Sequence, residues 1–346
     1  MASAATPASV LPRLTDAATR PPAIVLRHLT DAHCHPTETP FSAESMEQLD
    51  ITVCAMSTHQ NDQSLVRDLA LRYPTKIVPC FGYHPWFTHR ISLTAAPSKD
   101  EHYRDLLIGR GIEPSAETAS AFEELLPRLP EPITLAQVLS DVRHNLGEFP
   151  TAMLGEVGLD KPVRVAFDHT EWPPKLSPFT IPLDHQLEIL EAQIDLAVEL
   201  GRNISLHSVK CPQVTVDLLA RMQLKHGEKF QDIRVDVHSC SLNPQVWAIL
   251  QKRHSNVFIS LSTTINGRSN NLRALIAAVA PNRLLIESDY YDIALCTEQC
   301  VEILNLVASV KGWTIEEEWS EEAPPEADWG AVRRLEANWN LFKHGK

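Results

Sequence analysis

The stretch Leu29–Glu38, LTDAHCHPTE, decides how this chain is read. Asp31, His33 and His35 follow one another at two-residue spacing, directly after the apolar run AIVLRHL that begins at Ala23. In an extended segment residues i and i+2 share a face. His33 and His35 therefore project together, and Cys34 projects the other way. Two imidazoles side by side at the end of a strand suit a divalent cation, but they need further ligands from elsewhere in the chain.

The surrounding pattern says where those ligands come from. Short β-branched runs alternate with helical patterns. The predicted strands are AIVLRHL (24 region), ITVCAM (51–56), KIVPCFG (76–82), TAMLGEVG (151–158), NISLHS (203–208), RVDVHS (234–239), NVFISLS (256–262) and RLLIES (283–288). The clearest predicted helix is 183–201, where Leu187, Leu190, Ile194, Ala197 and Val198 repeat at helical spacing and Gly201 supplies the stop. Eight strands with intervening helices predict an α/β fold, a (β/α)8 TIM barrel, whose active site lies at the carboxyl ends of the strands. Two segments break the rhythm: a Pro-bearing insertion at about 88–134, between strands three and four, read as a helix on a loop, and an acidic loop at about 315–328. Residues 1–22 are rich in Ala, Pro, Ser and Thr and read as a disordered tail, leaving 23–346 as one barrel domain.

The polar residues at the strand ends now fall into register. Strand one ends in Asp31, His33 and His35, strand four carries Glu156, strand five ends in His207, strand six in His238, and strand eight in Asp289. Any one of them alone reads as an ordinary strand-end residue. Together they form a ligand set suited to zinc, manganese or related ions. His33 and His35 would bind one ion, Glu156 would span two with its two oxygens, and His207 and His238 would complete the second. Asp289 would ligate one ion and accept a proton from the attacking water.

Composition bounds the partners. The chain has 346 residues, 44% of them hydrophobic, and a formal net charge of -13. Such a surface repels polyanions, so contact with nucleic acid would be local, in a site that brings its own positive charge. Seven scattered cysteines without a C-x-x-C pair favour a reducing compartment over disulfides or structural zinc. On this reading no apolar stretch approaches the roughly 20 residues that span a bilayer, and the N-terminus lacks a secretory h-region. Cytoplasmic and/or nuclear placement is expected, with a mitochondrial transit peptide the weaker reading.

At this point the chain resembles the TatD-type metal-dependent hydrolases of the amidohydrolase-like barrels. The matching pieces are DAHCH (31–35), CFGYHP (80–85), LGEVGLD (154–160), HQLEILEAQIDLAVELGRNISLHS (185–208), VDVHS (235–239), LLIESD (284–289) and LEANWNLF (335–342). The resemblance implies a metal-dependent deoxyribonuclease with two divalent ions (Mg²⁺, Mn²⁺ or Zn²⁺). Its metal ligands would be His33, His35, Glu156, His207, His238 and Asp289, with Asp289 and Glu156 as catalytic residues. Asp31 would orient the histidines from behind.

The departures lie in the substrate-facing shell. HSVKC stands where the family commonly has H-S-R, so Lys210 replaces a bidentate fork with a point charge. HSCSLN and DYYD replace the usual segments after strands six and eight, and the segment after GYHP is greatly lengthened. That pattern fits a divergent eukaryotic branch. His84, Lys210 and Arg268 are candidate substrate contacts, and Trp86 with Phe87 a candidate stacking platform or a hydrophobic lid. The expected partner is DNA, as ends or a single strand, or a small phosphoester. The alternatives are hydrolysis of a small ester or amide at the same site, or a catalytically weak, monomeric barrel that binds a protein through the 88–134 insertion.

Overall fold

The apolar runs pair into an eight-stranded parallel sheet that curls into a nearly closed barrel. A computed structural model of the chain describes residues 20–95, 97–168 and 173–345. The barrel strands are β1 (Thr30–Cys34), β2 (Thr52–Met56), β3 (Ile77–Phe81), β4 (Met153–Asp160), β5 (Ile204–Val209), β6 (Val235–Val237), β7 (Val257–Leu261) and β8 (Leu284–Ile286). Each pairs in parallel with the next. The wall is joined between its ends by two backbone hydrogen bonds, Asp289 N to His33 O at 2.9 Å and His35 N to Tyr290 O at 2.8 Å.

Alternation along the strands divides the core. Cys54, Met56, Val78 and Cys80 pack with Phe258, Leu285, Trp339 and Phe342 inside the barrel. Val53, Ala55, Ile77 and Phe81 face the helices instead. Trp339 and Phe342 come from the last helix, Ala331–His344, and fill the barrel from the amino-terminal end of the strands. The carboxyl ends are left for polar residues.

Several expectations change. AIVLRHL is not the first strand: Ala23–Leu26 forms a single helical turn started by Pro22, and the strand begins at Thr30. Val25 and Leu26 are fully buried, so the run was apolar because it is buried, and burial alone does not distinguish the two periods. The insertion is more than one helix. It contains the helices Lys99–Arg104 and Ala116–Leu125 and a short strand pair, Ile91–Ser92 with Ile133–Thr134. A hairpin that follows β4, Arg164–Asp168 with Lys175–Thr180, packs on it. Tyr103, Phe122 and Leu125 of the insertion and Val165, Phe167 and Phe179 of the hairpin make a small second core. That hairpin was not expected from the sequence.

The tail assigned to residues 1–22 lies outside the described residues as far as 19; Arg20 pairs with Asp50 at 3.1 Å and Glu298 at 2.9 Å. The acidic loop is largely exposed but tied at two points. Glu316 accepts the backbone N–H groups of Val332 and Arg333 at the start of the last helix, and Trp319 stacks on His28 at 3.7 Å. The helix Ile293–Lys311 is, among the described residues, the one long and apolar enough to cross a membrane by length and composition. It corrects the expectation that no such stretch exists. It packs on β1 and β8, where its apolar residues are buried in the barrel wall.

Candidate metal centre

Two strands of the barrel carry an extra residue at the decisive point. Along β1, Asp31 pairs with Val53 and Cys34 with Ala55, three residues against two. Along β4, Leu154 pairs with Ile204 and Val157 with Leu206, again three against two. Such bulges re-aim side chains. The first lies at His33 and the second at Glu156. Close packing then holds β4 in place: Gly158 pairs with His207, and a Cβ at Gly158 would overlap the His207 carbonyl.

Glu156 sits at the centre, only 3% exposed. Its Oε1 lies 2.7 Å from His207 Nδ1, 2.7 Å from His238 Nε2 and 3.3 Å from His84 Nε2. Its Oε2 lies 3.5 Å from His33 Nε2 and 3.3 Å from His35 Nε2. Asp289 Oδ1 approaches the same two imidazoles, at 3.9 Å from His33 Nε2 and 3.5 Å from His35 Nε2. All six residues expected to form the ligand set therefore meet at one end of the barrel. His33 with His35 and Glu156, and His84 with Glu156 and His207, offer ligand atoms close enough to share an ion.

The charges explain why these groups tolerate burial together. Burial alone would raise Glu156, but the imidazoles of His84, His238, His33 and His207 hold its carboxyl well below the usual range. Burial would likewise lower His35 and His238. Asp289 and Glu156 raise His35, and Glu156 with Glu287 raises His238, both well above the ordinary histidine value. Protons here do the neutralising that a divalent cation would do, and cations displace protons from such sites. The donor set fits such an ion. His35 Nδ1, His207 Nε2 and His238 Nδ1 are buried without hydrogen-bond partners, while opposite each of those atoms the ring presents its other nitrogen to the carboxylates.

The supports around the cluster were mostly missed in the sequence. Ser205 Oγ lies 2.7 Å from His33 Nδ1 and aims Nε2 at the centre. Asp160 Oδ2 faces His207 Nε2 at 3.6 Å. Ser239 Oγ donates to Glu287 and also reaches Asp289 Oδ2 at 3.0 Å, fixing that carboxylate. Asp160 and Glu287 stood inside the motifs LGEVGLD and LLIESD. Only the fold shows which imidazole each one serves. Asp31 does not face the mouth with the histidines. It accepts the His33 N–H at 3.2 Å and the Ser288 N–H at 2.8 Å, so it holds backbones rather than rings. Cys34 points away, as its spacing implied, toward Cys54 O.

Among the candidate substrate contacts only His84 joins the cluster. Its Nδ1 accepts the Trp86 N–H at 3.1 Å, which leaves the proton of the neutral ring on Nε2, facing Glu156. Burial lowers its pKa to about 4, against the raising effect of Glu156. His84 is thus held as a neutral ring beside Glu156. Lys210 and Arg268 are exposed, and among the described residues neither is hydrogen-bonded to the cluster. Trp86 is 50% exposed beside it, while Phe87 stacks on His59. Lys210, Ser239 and Asp289 are the non-glycine residues with positive φ among those described. Each follows a barrel strand at the same mouth, the kind of place where strained backbone collects.

The model of the family described as TatD related DNase matches residues 30–320. The chain belongs to that family. The TatD relatives include the Cut9-interacting protein scn1 of Schizosaccharomyces pombe, 29% identical over 322 residues, 82% of this chain and 93% of that protein. An uncharacterized deoxyribonuclease of Saccharomyces cerevisiae is 26% identical over 271 residues, 75% of this chain and 82% of that one. Two solved TatD structures share the fold: YJJV of Escherichia coli k12, with a TM-score of 0.57 at 18% identity over 92% of this chain and 98% of that one, and a TatD family hydrolase of Entamoeba histolytica, with a TM-score of 0.57 at 13% identity over the same shares. The barrel expected from the alternation of strands and helices is thus the fold of this chain; the fold is that of the TatD-family hydrolases, and its mouth carries groups of residues that could hold a metal ion.

Proposed function

We propose that this TatD-family chain is a divalent-metal-dependent phosphodiesterase, a deoxyribonuclease acting on DNA ends or short single strands. The observation that carries this reading is the division of Glu156, with Oε1 toward His207 and His238 and Oε2 toward His33 and His35. On this reading His33, His35, Glu156 and Asp289 hold one ion, and Glu156, His207 and His238 a second, each Mg²⁺, Mn²⁺ or Zn²⁺. Bound there, the pair acidifies water and neutralises charge that develops on the phosphoryl oxygens.

The remaining work falls to the chain's own groups. Asp289, held by Ser239, positions the attacking water and takes its proton. His84 donates its Nε2–H to a phosphoryl oxygen, as a neutral ring that brings no competing charge. Ser205 and Asp160 keep His33 and His207 in the orientation the site needs. Trp86 offers a half-exposed ring on the rim for stacking a base. The test is cleavage of a 3′-labelled single-stranded DNA oligomer in Mg²⁺, Mn²⁺ or Zn²⁺, with a chelator control and with Asp289→Asn. Metal-dependent cleavage that disappears in the variant supports the reading; no cleavage with any ion overturns it and leaves small esters as substrates to try.

A second reading has its own support: the relative from Schizosaccharomyces pombe is named for an interaction with Cut9, and this chain spans 93% of it. The barrel would then also dock a protein through the insertion. Ile112, 60% exposed there, is the residue to change: Ile112→Asp would abolish docking and leave metal-dependent cleavage intact.

A further inference from the structure

Arg90 ends the short 3-10 helix Pro85–Arg90 that follows His84. Its Nε is buried with no hydrogen-bond partner. Among the described residues its guanidinium forms no ion pair, and it lies over the Phe87 ring at 4.8 Å. Arginines drawn into a protein are almost always paired, because an unpaired charge removed from water is costly. In a chain of net charge -13, a half-buried guanidinium that no carboxylate neutralises is a donor set open to an anion from outside.

Arg90 lines two cavities. One, of about 70 Å³, is bounded by His59, Tyr83, Phe87 and Ile133. The other, of about 320 Å³, is bounded by Arg128, Pro130, Phe167 and the carboxylate-bearing Asp168. Glu131 lines the first and forms no ion pair with Arg90. Arg128 is only loosely engaged, 3.8 Å from Glu124, since Glu124 is held by Lys175 at 2.8 Å. Lys175 itself sits over the Phe167 ring at 4.7 Å. Arg90 and Arg128 thus line one cavity, and Lys175 of the hairpin lies over Phe167 at its wall.

We propose that Arg90, with Arg128, forms a phosphate subsite at the seam between the insertion and the barrel, for a backbone phosphate of the nucleic-acid strand flanking the cleaved bond. This rests on the phosphodiesterase reading above. His84 and Arg90 bound the same 3-10 turn, and at about 2 Å per residue they lie about 12 Å apart. One strand of B-form DNA carries a charge about every 3.4 Å along its axis, so a phosphate a few nucleotides from the centre falls at Arg90. Trp86 stands between the two, half exposed. A planar guanidinium fork matches phosphate where a lysine does not. The subsite follows β3, whereas Lys210 follows β5. It also gives the lengthened segment a task, because Arg128 and Pro130 come from it.

The test compares the full chain with Arg90→Gln, Arg90→Lys and Arg128→Gln, in Mg²⁺. The substrates are a single-stranded DNA oligomer and thymidine 5′-p-nitrophenyl phosphate, a diester without flanking phosphates. Arg90→Gln is expected to raise KM for the oligomer about tenfold, as when a charge-assisted hydrogen bond is removed, with kcat retained and the small diester unaffected. The slope of log affinity against log salt falls by about 0.7 for each single-strand phosphate that the protein no longer neutralises, and Arg90→Lys lies between. Unchanged oligomer affinity and slope in Arg90→Gln overturn the proposal. So does an equal loss on both substrates with a lowered Tm, which makes Arg90 structural. Should the chain cleave neither substrate, Tm with inorganic phosphate decides. Phosphate held at the metal centre shifts all variants alike, so a smaller shift in Arg90→Gln supports the subsite and an equal one overturns it.

Discussion

Trp86 donates its indole N–H to Asp160 Oδ2 at 2.6 Å, and the same oxygen lies 3.6 Å from His207 Nε2. One carboxylate thus ties a half-exposed ring on the rim to an imidazole of the buried cluster. Burial would raise Asp160, but His207 and the Trp86 N–H hold it below the usual carboxylate range, so it stays charged. Asp160→Ala removes both links and is expected to weaken metal binding about 10–100-fold, the usual cost of losing a carboxylate behind a ligating histidine. Trp86→Phe removes only the indole and should raise KM while metal content holds. Metal titration by calorimetry, beside kinetics, separates the two.

Glu156 approaches five imidazoles, those of His33, His35, His84, His207 and His238, whereas Asp289 approaches two. Asp289→Asn should therefore lower kcat by about 10²–10⁴-fold, the range for a lost general base, with the ion between Glu156, His207 and His238 retained. Glu156→Gln should empty both positions. Counting bound metal per chain in each purified variant checks this; equal losses in the two would contradict the division of Glu156.

Chelation should destabilise the fold, and more at high pH than at low. His35 and His238 are raised in the metal-free cluster and Glu156 is lowered, so metal binding must displace protons from the two imidazoles. As pH falls, more protons compete and affinity drops. An ion at a hundred times its Kd adds about 2.7 kcal/mol. The gap in Tm between metal-loaded and chelated protein should widen as pH rises above the ordinary histidine range, where the two raised imidazoles give up their protons, and narrow as pH falls. A gap that does not change with pH would mean that ligands outside this cluster hold the metal.

Gly158→Ala should damage the centre without touching a ligand. The added Cβ overlaps the His207 carbonyl on the neighbouring strand, so β4 and β5 must part. Overpacking of a rigid site costs about 1–3 kcal/mol or more. The variant should melt lower and lose metal together; an unchanged Tm would show that the two strands are free to separate.

Much of this was legible in the sequence because it is periodic. Leu183–Leu200 follows its apolar stripe and stops where Gly201 takes a left-handed conformation. The two-residue spacing of His33 and His35 sets them on one face with Cys34 on the other. The strand ends delivered Glu156, His207, His238 and Asp289 to the same mouth because parallel strands in a barrel share a direction.

What periodicity could not carry was decided by tertiary contacts. Asp31 has the same spacing from His33 as His35 does, yet the bulge in β1 turns it to the back of the sheet, where Ser288 holds it. Ser205 reaches His33 across 172 residues of chain, and Trp86 reaches Asp160 across 74. Arg90 gains its meaning only from where it lies, at the place where the insertion and the hairpin meet. Local sequence sets which residues share a face, since that follows from backbone geometry. It does not set which faces meet, because that depends on bulges, on packing and on where distant segments are forced together by the closed barrel. By itself the sequence determined the barrel and the residues of its centre; only the tertiary structure decided which group holds which, and where the remaining cations gather.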